Sequence, residues 1–275
     1  VQRYRPEAVA QYFDELGEQE WTRHVSSPAA EVKLHLHTHY LRKHIRPPVR
    51  VLDAGAGAGR FTQVLAQLGA SVVVADISTT QLALNRKRAT ELGTASAVTD
   101  WLHADVCDLS ELADASFDAV VCYGGPISYV FEQRERALGE LRRVLKPGGT
   151  LLLSVMTLWG TIHEALPTVL QVDAVENLRI IETGDLLLGD VDSMRHQCHL
   201  FRASDLQELL AATGWDIVAL SASNCLSTAW REKLDGIRKD PPRWAELLAM
   251  EVEACAQPGA LDMGTHLIAV VRRPE

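Results

Sequence analysis

Some things are scarce in this sequence, and each scarcity narrows what the chain can be. Cysteine is limited to Cys107, Cys122, Cys198, Cys225 and Cys255, an odd count without a C-x-x-C pair. Neither a disulfide framework nor a thiolate zinc site is suggested, and a reducing cytoplasm is the expected compartment. Long apolar runs are also missing. The longest, Leu151 to Trp159, is far short of the roughly 18 to 20 residues a membrane span requires. No basic, apolar leader opens the numbering, so the expectation is a soluble protein without a membrane partner. Basic residues are the minority, 27 against 36 acidic for a net charge of −9. A surface that neutralises a phosphate backbone needs the opposite balance, so nucleic acid is not an expected partner. A metal pair is incomplete as well. His35 and His39 have helical i, i+4 spacing, but Leu36 stands where H-E-x-x-H needs glutamate and no third ligand is indicated. No metal is expected.

What is present is enough for a full core: 275 residues, 47% of them hydrophobic. The chain is organised around Val49 to Phe61. Val49, Val51 and Leu52 read as a short buried strand ended by a glycine cluster, and Phe61, Val64, Leu65 and Leu68 then recur at helical spacing up to Gly69. Strand, glycine turn and helix follow without a gap. Such a unit opens nucleotide-binding α/β folds, where glycines let backbone approach a ligand at a helix N-terminus. A second strand, Ser71 to Ala75, ends at Asp76, about 20 residues after the first glycine, where an acid can accept from ribose hydroxyls. The third ends at Ala104-Asp105-Val106, near the same sheet edge. There a carboxylate can accept from an exocyclic amine while the Val106 N–H donates to a ring nitrogen.

Gly55, Gly57 and Gly59 form G-x-G-x-G with Asp53 ahead of them, not the G-x-G-x-x-G of dinucleotide enzymes. With these residues in view, the sequence resembles the class I S-adenosylmethionine-dependent methyltransferases. Asp53-Ala54-Gly55-Ala56-Gly57-Ala58-Gly59 looks like the family's first motif, Asp76-Ile77 its ribose acid and adenine-packing residue, and Ala104-Asp105-Val106 its adenine-edge motif. Phe117 to Cys122 resembles its fourth strand, and Leu141 to Gly149 the helix and turn before its fifth. The resemblance runs from about Val49 to Val155. It implies a Rossmann-like, doubly wound α/β sheet of about seven mostly parallel strands. It also implies S-adenosyl-L-methionine as cofactor, S-adenosyl-L-homocysteine as product, and a cofactor site at Asp53, Ala54, Gly55, Gly57, Asp76, Ile77, Asp105, Val106 and Tyr123.

The whole of 1–275 is expected to be one domain. Residues 1–46 are a helical lid, 47–155 the cofactor-binding core, and 156–199 and 223–264 two insertions. Ser27 before Pro28 and Ser78 read as helix caps, and Ser204-Asp205-Leu206-Gln207 as a capping box. Strand five is expected at Leu151 to Val155, strand six at Trp215 to Leu220 and the last at His266 to Val271.

Strand four ends in Tyr123-Gly124-Gly125-Pro126, not in the Asn/Asp-Pro-Pro-aromatic motif of relatives that methylate exposed amines. With acidic charge and two insertions to enclose a cavity, this points to a small-molecule acceptor, methylated at oxygen, nitrogen or carbon. Tyr4, Tyr12, Tyr129 and His196 are candidates for lining its site. No catalytic residue is assigned, although His163, His196, His199 or Tyr129 could take a proton. Monomer and homodimer both remain open. So do two rival functions: an NAD(P)-dependent oxidoreductase, which would need the longer glycine spacing and a Tyr-x-x-x-Lys pair, and a non-catalytic S-adenosylmethionine-binding protein.

Overall fold

A computed structural model describes residues 3–187, 197–228 and 230–275. Helices α1 (Pro6–Leu16), α2 (Gln19–Thr22) and α3 (Pro28–His44) precede the sheet. Ser27 caps α3 as expected, its Oγ accepting from the Ala30 N–H at 3.2 Å, and Pro28 takes the first helical position, where a missing N–H costs nothing.

The sheet contains β1 (Arg50–Ala54), β2 (Ser71–Asp76), β3 (Val98–His103), β4 (Phe117–Cys122), β5 (Leu145–Met156), β8 (Asp216–Ala222) and β9 (His266–Arg272). Its seven strands lie in the order β3-β2-β1-β4-β5-β9-β8, and β9 alone runs antiparallel to its neighbours. This is the doubly wound, mostly parallel sheet that the sequence implied. Val51 and Leu52 point to opposite faces, as strand period requires, and both are fully buried. Leu52 joins Val73 and Val120 under α7 (Arg134–Val144) and α11 (Ala203–Ala212). Val51 joins Val72 and Val121 under α3 and α4 (Arg60–Gln67). Helix α5 (Thr79–Glu91) follows β2, with Ser78 Oγ accepting from the Gln81 N–H at 3.1 Å.

Three expectations needed correction. Strand β5 begins at Leu145, six residues early, because the Lys146–Gly149 turn is absorbed by a register shift against β4 between Phe117 and Ala119. Helix α11 begins at Ala203, so Ser204 is inside it. The Arg202 N–H donates to Asp205 at 3.3 Å and the Ala203 N–H to Asp262 at 2.8 Å, a cap from a distant residue that local pattern cannot reveal.

The third correction concerns the insertions. The first carries α8 (Leu158–Glu164), α9 (Leu166–Val169) and α10 (Ala174–Thr183), followed by a two-stranded sheet of β6 (Asp185–Leu186) and β7 (Cys198–His199). Helix α8 leaves the carboxyl end of β5, on the ligand edge. The second carries α12 (Arg231–Arg238) and α13 (Pro241–Cys255), which pack on α3 through an Arg238–Glu31 ion pair of 2.5 Å and through Trp244, Leu248 and Val252. It braces α3 instead of covering the sheet edge. No described helix is long and apolar enough to cross a membrane.

Candidate functional site

The site grows from the glycine turn after β1. Gly55 and Gly57 have φ of +69° and +53°, the left-handed region that side chains resist. A Cβ on Gly55 would lie 2.5 Å from the Pro126 ring, and one on Gly57 would press on Glu20 at 3.2 Å. The turn is thereby open to close backbone approach. Asp76, at the end of β2, braces it from below: Oδ2 accepts from the Gly57 N–H at 2.7 Å and Oδ1 from the Ser78 N–H at 2.8 Å. Burial pushes this carboxyl up to about 6 in spite of those two donors, and Glu20 and Asp14 add like-charge repulsion.

Beside it, the cleft continues along Ile77, Asp105 and Val106. Both oxygens of Asp105 are engaged, Oδ1 by the Cys107 N–H at 2.8 Å and Oδ2 by the Tyr4 hydroxyl at 2.7 Å. Gly55, Gly57 and Tyr123 also line the cleft. Asp53 and Ala54 do not. Asp53 lies behind the turn, where Oδ2 accepts from Thr62 Oγ1 at 2.6 Å and burial pushes the carboxyl up to about 7. Its role in this structure is to tie β1 to α4.

Helices α1 and α2 form the roof. Asp14 accepts from Ser78 Oγ at 2.5 Å and the Thr80 N–H at 3.1 Å, while Gln81 donates to the Phe13 and Gly17 carbonyls at 2.8 and 3.1 Å. The Arg60 guanidinium donates to the Trp21 carbonyl at 2.6 Å and stacks 3.6 Å above the indole. These bonds bring Glu20, Arg23 and His24 against the glycine turn. Burial works against the Glu20 charge, yet Arg23 Nε at 2.6 Å and His24 Nε2 at 3.6 Å hold its carboxyl below the usual range. The roofed cleft, including its mouth, has about 790 Å³ of empty space.

A second chamber, of about 1000 Å³ with its mouth, lies beside the first. Tyr12, Lys33, Met156, Thr161, Glu164 and His266 are among its walls. Phe13, Glu20, Arg23, Gly124 and Tyr129 border both spaces. Lys33 and Glu164 form a 2.8 Å ion pair across the second chamber, joining α3 to α8. Of the candidate acceptor residues, Tyr4 lines the cleft, Tyr12 the second chamber and Tyr129 both, while His196 is outside the described residues. His163 lines neither. His199 is held by Asp185 at 2.7 Å in the small sheet, away from both spaces. Glu20, Arg23 and His266 escaped sequence reasoning, because no motif marks them and two segments far apart in the chain must meet before they share a wall.

The cleft fits a nucleoside joined to a charged amino-acid tail. Its wall offers the buried Asp76 carboxyl, the edge residues Asp105 and Val106, and the charged pair Glu20 and Arg23. The Tyr123 hydroxyl, buried and without a hydrogen-bond partner among the described residues, adds a free polar group.

The family model described as a methyltransferase domain matches residues 52–153. A demethylmenaquinone methyltransferase of Clavibacter sepedonicus is 43% identical over 104 residues, 38% of this chain and 40% of that protein. The ubiquinone/menaquinone biosynthesis C-methyltransferase UbiE of Ectopseudomonas mendocina is 32% identical over 172 residues, 61% of this chain and 64% of that protein. The chain therefore spans less than two thirds of these relatives' lengths. Among solved structures, a Burkholderia thailandensis 1,6-didemethyltoxoflavin-N1-methyltransferase with bound 1,6-didemethyltoxoflavin and S-adenosylhomocysteine superposes with a TM-score of 0.57. Identity is 18%, covering 98% of this chain and 88% of that one. The [4+2]-cyclase SpnF also scores 0.57, at 23% identity over 88% of this chain and 80% of that one. At such identities the likeness shows the fold alone.

Proposed function

We propose that the chain, whose residues 52–153 match a methyltransferase domain, is a class I S-adenosylmethionine-dependent enzyme that transfers a methyl group from S-adenosylmethionine to a small molecule. The observation that carries this reading is the pair of spaces meeting along Phe13, Glu20, Arg23, Gly124 and Tyr129. One space has the cofactor's chemistry, and the other is large enough for a drug-sized acceptor. The bound cofactor would supply a methyl group already activated on a sulfonium. What remains for the protein is alignment and exclusion of water, which can supply roughly 7 to 11 kcal/mol in favourable cases.

Each group then has a task. Asp76 would accept from ribose hydroxyls and Asp105 from the base edge, while Glu20 and Arg23 face the amino-acid end. Tyr12, Tyr129 and the Lys33–Glu164 pair would hold the acceptor, with the lid helices and the first insertion closing over it. The quinone and toxoflavin methyltransferases found as relatives and neighbours act on small molecules and support this choice. The cyclase SpnF, on the same fold, keeps a second reading in view: an enzyme that uses the acceptor chamber without methyl transfer.

Calorimetric titration with S-adenosylhomocysteine and NAD tests the cofactor, with micromolar or tighter binding expected for the former alone. Methyl-labelled cofactor is then offered separately to small metabolites, protein extract and nucleic acid. Label on metabolites is the expected outcome, and label confined to protein or nucleic acid defeats the proposal.

A further inference from the structure

We infer that His266 is the proton acceptor of the second chamber, and that the molecule methylated there is planar and carries an acidic phenol, enol or ring N–H. The inference rests on the methyl-transfer reading and deepens it. Position comes first. His266 is the direct partner of Met156 across β5 and β9, so the two side chains share a face, and Met156 reaches to 3.6 Å from the Cβ position of Gly125 beside the cleft. On the other side, the His37 ring lies 6.3 Å from His266 and 4.7 Å from Tyr123 of the cleft. His266 thus stands in the acceptor wall one strand from the cofactor loop.

Availability comes second. Nδ1 of His266 lies 3.4 Å from Thr265 Oγ1, and Nε2 has no hydrogen-bond partner among the described residues. Among the described residues the chamber's carboxylates are taken: Glu20 by Arg23 and His24, Glu164 by Lys33. Burial raises the phenols of Tyr12 and Tyr129, which therefore act as donors.

Charge state decides the substrate class. Burial drives His266 well below the ordinary histidine range, and His37, Lys33, Arg23 and His24 push the same way. It is neutral at pH 7, ready to receive a proton, but weak. A weak base works best on an acidic donor, which selects a phenol, enol or ring N–H over an aliphatic alcohol. The wall carries three aromatic rings, Tyr12, Phe13 and Tyr129, packed edge to face on one another with centroids 5.1 and 5.4 Å apart, and such a surface favours an aromatic occupant. The balance closes without another reactant. The acceptor oxygen or nitrogen bonds the methyl carbon, the carbon–sulfur bond breaks with its pair left on sulfur, and the acceptor's proton passes to His266 Nε2. The imidazolium then releases it to solvent.

The test uses the full chain saturated with S-adenosylhomocysteine, first as a binding measurement. 2-Naphthol should bind roughly three- to tenfold more tightly than 2-methoxynaphthalene, which lacks the proton, and His266→Leu should abolish the difference. With S-adenosylmethionine, a panel of one- to three-ring phenols should accept label while saturated alcohols of equal size do not. On the best acceptor of the panel, His266→Leu should lower kcat by 10²- to 10⁴-fold with S-adenosylhomocysteine affinity within twofold, and should remove the acidic limb of the pH–rate profile. If the variant does not fold, the naphthol pair on the wild type still decides. Equal affinity for the pair, label on alcohols instead of phenols, or an unchanged kcat and pH profile overturns the inference while leaving cofactor binding intact. Failure to bind S-adenosylhomocysteine overturns the methyltransferase reading itself.

Discussion

The two spaces of the site are made from different kinds of chain. The first cleft, proposed above for the cofactor, is built mainly where consecutive strands end: Gly55 to Gly57 after β1, Asp76-Ile77 after β2, Asp105-Val106 after β3 and Tyr123-Gly124 after β4. Its geometry follows from local backbone and one sheet edge. The second chamber, proposed for the acceptor, takes Tyr12 from α1, Lys33 from α3, Thr161 and Glu164 from α8, and His266 from the start of β9. Nothing local holds these together. A site of the first kind can persist while the second is rebuilt, so that one fold can serve different chemistries.

The strongest way to break this division is to damage the chamber and watch the cleft. A Cβ on Gly160 of α8 would lie 1.8 Å from the Gly264 carbonyl oxygen, a backbone clash that requires α8 or the Gly264 segment to shift. Gly160→Ala should cost roughly 3 kcal/mol of stability in denaturant titration, the upper end for overpacking. S-adenosylhomocysteine affinity of the folded protein should stay within threefold. A parallel collapse of affinity would show that the two spaces form one mechanical unit.

The converse experiment is Asp76→Ala, expected to weaken S-adenosylhomocysteine binding by about 1.5 to 3 kcal/mol, the range for bonds to a charged group. Calorimetry should register that loss with the fold intact, and an unchanged affinity would reduce Asp76 to a brace for the Gly57 N–H. A pH titration sharpens the same point. The Asp76 carboxyl titrates near 6 in the folded protein against 3.8 for a free one. Its raised value means that folding favours the protonated form, stability from this group being full below 3.8 and lost as pH rises through 6. Cofactor affinity has the opposite sign, because ribose hydroxyls need the carboxylate. Affinity should fall below pH 6, by up to about tenfold per unit. Asp76→Asn should flatten that dependence.

The smallest effect belongs to the partly exposed Lys33–Glu164 pair. Lys33→Met should cost at most about 1 kcal/mol of stability. It should raise the acceptor's KM without moving S-adenosylhomocysteine affinity, and a change in the latter would blur the division between the spaces.

The cofactor half was legible because its information is local. A glycine at positive φ, an acid at a strand end and a cap such as Ser27 or Ser78 each act within a few residues, and the order of the strands lines them up along one edge. Even there Asp53 misled: its place in the motif suggested a cofactor contact, whereas burial and Thr62 turn its carboxyl away from the cleft. By itself the amino-acid sequence determined the doubly wound sheet and most of the residues that line the first cleft, since strand period and turn chemistry are short-range. Only tertiary structure decided that Asp262 caps α11, that the second insertion braces α3, and that Glu20, Arg23 and His266 face a common space. Those outcomes depend on contacts between segments up to about 240 residues apart, as between Arg23 and His266 along the numbering, and burial and electrostatics act on such groups only after the core has brought them together.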